Sequence, residues 1–183
     1  MTDLAALVAM RLAHDLAGPL GAIATGIELL EDGDAEIRAL IGDGAAAAIA
    51  SLRLHRFILA PPSDAAPGRG LLAAWLATRS GVMLDWQATT TDPARVAILL
   101  GLAMTAGEAA PGGGTVSVDD GGVTLDCAKP RLDPSIVAAF AGAPVDIARA
   151  ALGGFIHSRA GPIGVTIDPG GFRLGYQGSA LPR

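Results

Sequence analysis

Arg11-Leu12-Ala13-His14-Asp15-Leu16-Ala17-Gly18-Pro19-Leu20 sits inside a run of apolar residues spaced as on a helix. Leu4, Val8, Leu12, Leu16, Leu20, Ile23, Ile27 and Leu30 recur at steps of three and four, which places them on one stripe. Thr2 or Asp3 can cap the start, and Gly33 supplies a break. Asp34 then reads as the N-cap of a second helix, with Glu36 in its first turn. Ile37, Leu40, Ile41, Ile49, Leu52 and Leu59 form the second stripe, and Pro61-Pro62 end it. Residues 1–60 are thus expected to be a helical hairpin. Two helices alone do not cover two such stripes, and pairing of two hairpins into a four-helix bundle is the simple remedy.

Residues 61–70 read as a linker, and residues 71–183 as a mixed α/β region, so the fold class is α+β. Leu71–Ser80 has a helical pattern and Met83–Ala88 a strand pattern. Asp92 and Pro93 open a helix that runs to Glu108, with proline at the first helical position. Gly114–Asp119 and Val123–Cys127 fit a hairpin around Asp120-Gly121-Gly122. Pro134–Ala141 and Val145–Arg159 read as helices, and Ile163–Asp168 with Phe172–Tyr176 as a last hairpin.

Composition excludes several classes of function. A net charge of −5 argues against a nucleic-acid partner, since such binding needs a basic face. Cys127 is the only cysteine, so no intrachain disulfide forms and a reducing compartment fits best. No apolar run approaches the roughly 18 residues of a membrane span, and the N-terminus lacks a signal-peptide layout. The expectation is a soluble, cytoplasmic protein. His55 and His157 have no metal-like spacing with Cys127 or each other. The glycine runs match no phosphate-cradle motif, and turns explain them more simply.

On a helix, His14 lies about 200° from both Leu12 and Leu16, so it faces away from the stripe. Its neighbours are small: Ala13, Ala17, Gly18, Gly21 and Ala22. Glycine inside a helix costs about 1 kcal/mol against alanine. Gly18, Gly21, Gly26 and a mid-helix Pro19 therefore need a reason. A bare surface around an exposed imidazole lets a docking protein bring its own reactive group close. Unprotonated imidazole has a lone pair suited to in-line attack on phosphorus. Asp15 either holds the productive tautomer of His14 or is a solvated charge, and His14 itself is either a phosphoacceptor or an ordinary surface histidine. Folding the hairpin about residue 33 brings residue 51 or 52 opposite His14. Arg53, His55 and Arg56, with Arg11, then form either a basic rim for an acidic partner or a solvated face.

His14-Asp15-Leu16-Ala17-Gly18-Pro19-Leu20 resembles the H-box of histidine kinases, in which a histidine, an acidic neighbour and a proline five residues on recur. Arg11 to Asp32 is most similar to the ChpT-type histidine phosphotransferases of alphaproteobacteria. Leu84-Asp85-Trp86-Gln87 and Ala110-Pro111-Gly112-Gly113 also resemble that family. The resemblance implies a dimeric helical bundle followed by a degenerate kinase-like (Bergerat/GHKL) α/β sandwich. It implies phosphoryl transfer through His14 from the receiver domain of a CckA-type hybrid histidine kinase to response regulators of the CtrA or CpdR type. Asp15 would be the orienting neighbour, and Arg11, Gly18, Pro19, Ala22, Arg53 and Arg56 would meet the partner.

The same likeness separates the chain from ATP-using kinases. The kinase N-box needs an asparagine to hold Mg²⁺, Thr105 and Ala106 occupy the corresponding place, and the chain contains no asparagine. The G1-like segment keeps Asp126 but not the following glycines, and the G2-like segment Pro144 to Arg149 has none. The expectation is a phosphotransferase without ATP or any cofactor of its own, using Mg²⁺ brought by the receiver. The rival is a kinase-like scaffold that binds a response regulator without relaying phosphate. A kinase lacking its sensor is a third reading.

Overall fold

Two long helices, α1 (Leu4–Leu29) and α2 (Ala35–Leu59), lie against each other as an antiparallel hairpin. The computed structural model describes residues 3–30 and 34–176 of the 183. Gly33 and Thr2, expected as break and cap, lie outside the described residues. Asp3 caps α1 by accepting a hydrogen bond from the Ala5 amide (2.9 Å), and Asp34 caps α2 through the Ile37 amide (3.0 Å). α1 continues through Pro19. Close approach on this seam requires small residues: a Cβ on Gly26 would sit 2.6 Å from Ile41 Cγ1, and one on Gly44 would sit 3.0 Å from the Pro19 carbonyl oxygen. Gly26 therefore serves helix packing rather than a bare surface.

The burial of the two stripes departs from expectation. Leu20 and Ile27 on α1, Leu30 at its C-terminal cap, and Leu40, Ile49 and Leu52 on α2 are exposed, and the other stripe residues are only half-buried. The face of α1 that the chain buries carries Leu7, Arg11 and Gly26, about 100° away from the expected stripe. On α2 it carries Gly44, Ala50, Ser51, Leu54, His55, Phe57 and Ile58. The buried faces thus mix small and polar residues with Leu7, Leu54, Phe57 and Ile58, and Leu20, Ile27, Leu40, Ile49 and Leu52 of the expected stripes point outward.

The remaining elements are α3 (Pro67–Leu76), β1 (Val82–Trp86), α4 (Pro93–Glu108), β2 (Gly114–Asp119), β3 (Gly122–Asp126), α5 (Pro134–Phe140), a 3-10 turn at Ala148–Ala150, α6 (Ala151–Ala160), β4 (Ile163–Asp168) and β5 (Gly171–Tyr176). The architecture is α+β. The five strands form one sheet in the order β1-β2-β3-β5-β4, with β1 parallel to β2 and every other pair antiparallel. α4 is its central support: every residue from Val96 to Gly107 is buried. One apolar core joins α4 to Leu54, Phe57 and Ile58 of α2, Leu72 and Trp75 of α3, and Val116, Leu125 and Leu174 of the sheet.

Several boundaries differ from the expected ones: α3 ends at Leu76 and not at Ser80, β1 and β3 each begin one residue earlier and end sooner, and two starts differ by more. α3 starts at Pro67 instead of Leu71, because proline at the first helical position is favourable and Gly68 fits a tight contact. A Cβ on Gly68 would lie 2.7 Å from Val96 Cγ1 and 3.6 Å from Phe57. Val145–Ile147 was expected to be helical, but the helix starts only after the 3-10 turn. Among the described residues, no helix is long and apolar enough to cross a membrane.

Candidate functional site

His14 projects from the middle of α1 with its side chain 88 % exposed, and its Nδ1 lies 3.4 Å from Asp15 Oδ1. Asp15 is turned inward. Its Oδ2 faces His55 Nε2 at 3.4 Å and Arg11 Nε at 3.6 Å. None of these three atoms has an aligned hydrogen-bond partner among the described residues, so the cluster is held by charge more than by directed bonds. Burial pushes the Asp15 carboxyl up, but His55, the Arg11 charge and His14 together outweigh it, and the pKa falls below the ordinary carboxylate value. Asp15 is therefore a half-buried carboxylate beside the exposed imidazole.

His55 is not a rim residue. It is 2 % exposed, and its Nδ1 lies 2.9 Å from the Ser51 carbonyl oxygen one turn back on α2. A carbonyl oxygen only accepts, so Nδ1 donates and Nε2 is the nitrogen turned to Asp15. The hairpin brings residue 55 to residue 15, and Ser51 lines the same cleft as His14. The expected register put residue 51 or 52 opposite His14, and the residue that meets Asp15 is His55, about one turn further along α2.

Arg11 also departs from the expected rim, since it is buried. Its guanidinium donates to the Arg149 carbonyl oxygen (2.8 Å) and to both carboxylate oxygens of Glu108, tying α1 to the end of α4. Burial pulls its pKa down, and Glu108 and Asp15 more than reverse this, leaving it raised. The sequence offered one sign of this pairing. Glu108 ends α4, where the helix dipole disfavours an acid, so it needs a cation from elsewhere.

The small residues divide in two. A Cβ on Gly18 or Gly21 would meet nothing within 4 Å, so both leave open space. Ala22 instead is half-buried on the α2 seam, where its Cβ packs towards Gly44. Gly18 and Pro19 line a cleft of about 510 Å³ together with His14, Trp75 and Arg79. A second cleft of about 760 Å³ lies on the other side and is lined by His14, Arg11, Glu108, Arg131 and Arg149, again with Arg79. Arg53 and Arg56 are exposed on α2, and neither forms an ion pair among the described residues. Arg79 went unnoticed in the sequence. Its guanidinium carbon lies 4.0 Å from the centre of the Trp75 ring.

The kinase-like positions are accounted for locally. Thr105 is buried and its hydroxyl donates to the Gly101 carbonyl oxygen at 3.0 Å. Asp126 is exposed at the end of β3. His157 is half-buried, with Nδ1 3.1 Å from the Phe140 carbonyl oxygen, which fits a packing residue. Among the described residues, no group of three His, Cys, Asp or Glu side chains is placed to hold a metal ion.

No protein-family model matches the chain, and no curated protein matches it. A solved structure does: it is described as a 1.7 Å structure of a bacterial phosphotransferase. The match covers 94 % of each chain with a TM-score of 0.78 and 23 % identity. The two share a fold.

Proposed function

We propose that this protein is a histidine phosphotransferase of the ChpT type, relaying phosphoryl groups through His14 without ATP. The observation that carries the reading is an almost fully exposed imidazole whose neighbouring carboxylate is half-buried and anchored from behind by His55 and Arg11. With Nδ1–H directed at Asp15, the Nε2 lone pair is left facing solvent. That lone pair attacks the phosphorus of a receiver's aspartyl phosphate. The N–P bond forms as the P–O bond breaks, and the electron pair leaves on the aspartate carboxylate. The ring keeps its Nδ1 proton and becomes cationic, and Asp15 offsets that charge. The return step to a second receiver is the reverse.

An acyl phosphate is already activated, so positioning and charge neutralisation are the main tasks left to the protein. The receiver supplies Mg²⁺ and its own acidic pocket. The donor is the receiver domain of a CckA-type hybrid kinase, and the acceptors are regulators of the CtrA or CpdR type. Open space over Gly18 and Gly21 supports docking along α1, with Arg53 and Arg56 as charge partners. The exposed Leu20, Ile27, Leu40 and Ile49 support a homodimer through residues 1–60, a four-helix bundle. The buried Thr105 hydroxyl and the lack of asparagine support a kinase-like (GHKL) domain that no longer takes nucleotide. The structural neighbour's description as a phosphotransferase supports the reading, and the single cysteine supports a cytoplasmic setting.

The test is incubation with a phosphorylated receiver domain. Acid-labile label should appear on the wild-type chain and be absent from His14→Gln. Receiver binding without label would favour the scaffold instead.

A further inference from the structure

Two of the arginines around His14 differ in their ion pairing. Arg11 is ion-paired with Glu108, with Asp15 beside it. Arg79 is partly buried, its Nε is shielded from solvent without a hydrogen-bond partner, and it forms no ion pair among the described residues. The nearby carboxylates are already taken: Glu108 by Arg11, and Asp15 by Arg11, His14 and His55. Burial pulls the Arg79 pKa down, Glu108 and Asp15 act the other way, Arg11 adds repulsion, and the result stays lowered. Its position is nonetheless fixed, because the guanidinium lies over Trp75, itself only 3 % exposed. Arg79 is a held cation lacking an anion.

Its surroundings say where that anion belongs. Arg79 and His14 line both clefts, one on each side of the imidazole. Arg131 and Arg149 line only the second cleft, and Arg149 is paired with Asp133 at 2.8 Å. We infer that Arg79 is the anion-binding residue of this site, receiving the phosphoryl oxygens of the group carried on His14. The inference rests on the reading of His14 as phosphoacceptor. A planar guanidinium offers two parallel N–H donors to a phosphoryl group, and a phosphoryl dianion would supply the missing countercharge.

Phosphoramidate provides a test that needs no partner protein. Nε2 of His14 attacks its phosphorus, the N–P bond to the ring forms, and the original P–N bond breaks as ammonia leaves with the electron pair. Phosphohistidine formation is followed by ³¹P NMR on the full chain. Arg79→Gln should form phosphohistidine about tenfold more slowly or worse, the size expected for losing a hydrogen bond to a charged group. Arg79→Met keeps apolar contact with Trp75 and should be equally slow, which carries the test if the glutamine variant fails to fold. Arg79→Lys should recover part of the rate by retaining charge. Arg69→Gln, an exposed position on α3, the helix that precedes Arg79, should match wild type. A wild-type rate in folded Arg79→Met overturns the inference. So does a defect seen only with a phosphorylated receiver as donor, because it would place Arg79 against the partner's surface. Absence of label on wild-type His14 with either donor would instead sink the phosphotransfer reading itself.

Discussion

The stem and the arm of the hairpin are built from the same two helices and solve burial differently. In the stem, Leu7, Leu54, Phe57 and Ile58 are buried against α3, α4 and α6, and even Arg11, Ser51 and His55 are enclosed. In the arm, the helices contact mainly each other through Gly26, Gly44 and Ala22, and Leu20, Ile27, Leu40 and Ile49 are left exposed. Helical periodicity creates an apolar stripe, but only a third element covers it. His14 stands at the junction, where cover from α3 and α4 gives out and the open glycines begin. A reactive side chain there has a rigid base below it and free space above.

The sharpest way to break this comparison is truncation on each side. Phe57→Ala or Leu54→Ala in the stem should lose about 3–5 kcal/mol in urea unfolding. Ile27→Ala in the arm should cost well under that in dilute solution, with a cost that grows with protein concentration as a second copy covers the face. Equal, concentration-independent losses would erase the distinction.

Arg11→Met tests the polar part of the stem. It strands Glu108 without its cation and should cost about 2–4 kcal/mol, recovered in part by adding Glu108→Gln. Full additivity of the two changes would show that the pair is not coupled. On the arm, Leu20→Asp with Ile27→Asp should convert a dimer to monomers while the stem still melts cooperatively. Sedimentation of the wild-type chain as a monomer would remove the proposed bundle.

A smaller effect concerns Asp15. Its pKa is lower in the folded chain than in the unfolded one, so its ionised form favours folding. That contribution is complete above the unfolded value near 4, and it is lost as pH falls through the lower folded value. Asp15→Asn should flatten stability in that acid window, whereas an unchanged profile would show that the carboxylate is not held by its neighbours. Least of all, Gly18→Ala should raise stability by up to about 1 kcal/mol, since nothing lies within 4 Å of its Cβ. Gly18→Leu should keep the fold and hinder transfer by filling that space.

The half after residue 61 was the more legible one, because aspartate caps, prolines and paired glycines punctuate it. α4 runs from Pro93 to Glu108 as the Asp92-Pro93 signal requires, and both hairpins turn where their glycines lie. In residues 1–60 the helices were legible but the buried faces were not. A stripe of leucine and isoleucine reads the same whether its cover comes from the same chain or from another. Arg11 read as a rim charge because its partner Glu108 lies 97 residues away, and no local pattern connects them. His55 was placed near His14, but whether it is buried depends on α3 and α4 closing over the stem. Arg79 had no local motif at all. Its role emerges only from the ring beneath it and the absence of a free carboxylate.

Gly68 has a consequence for how the chain can move. Val96, Leu100 and Phe57 leave no room for a side chain there, so the start of α3 is packed into the core between hairpin and sheet. The same core that takes in Gly68 also takes in Leu54, Phe57 and Ile58 of the hairpin and Val116, Leu125 and Leu174 of the sheet, so a swing of one half over the other would have to unpack it.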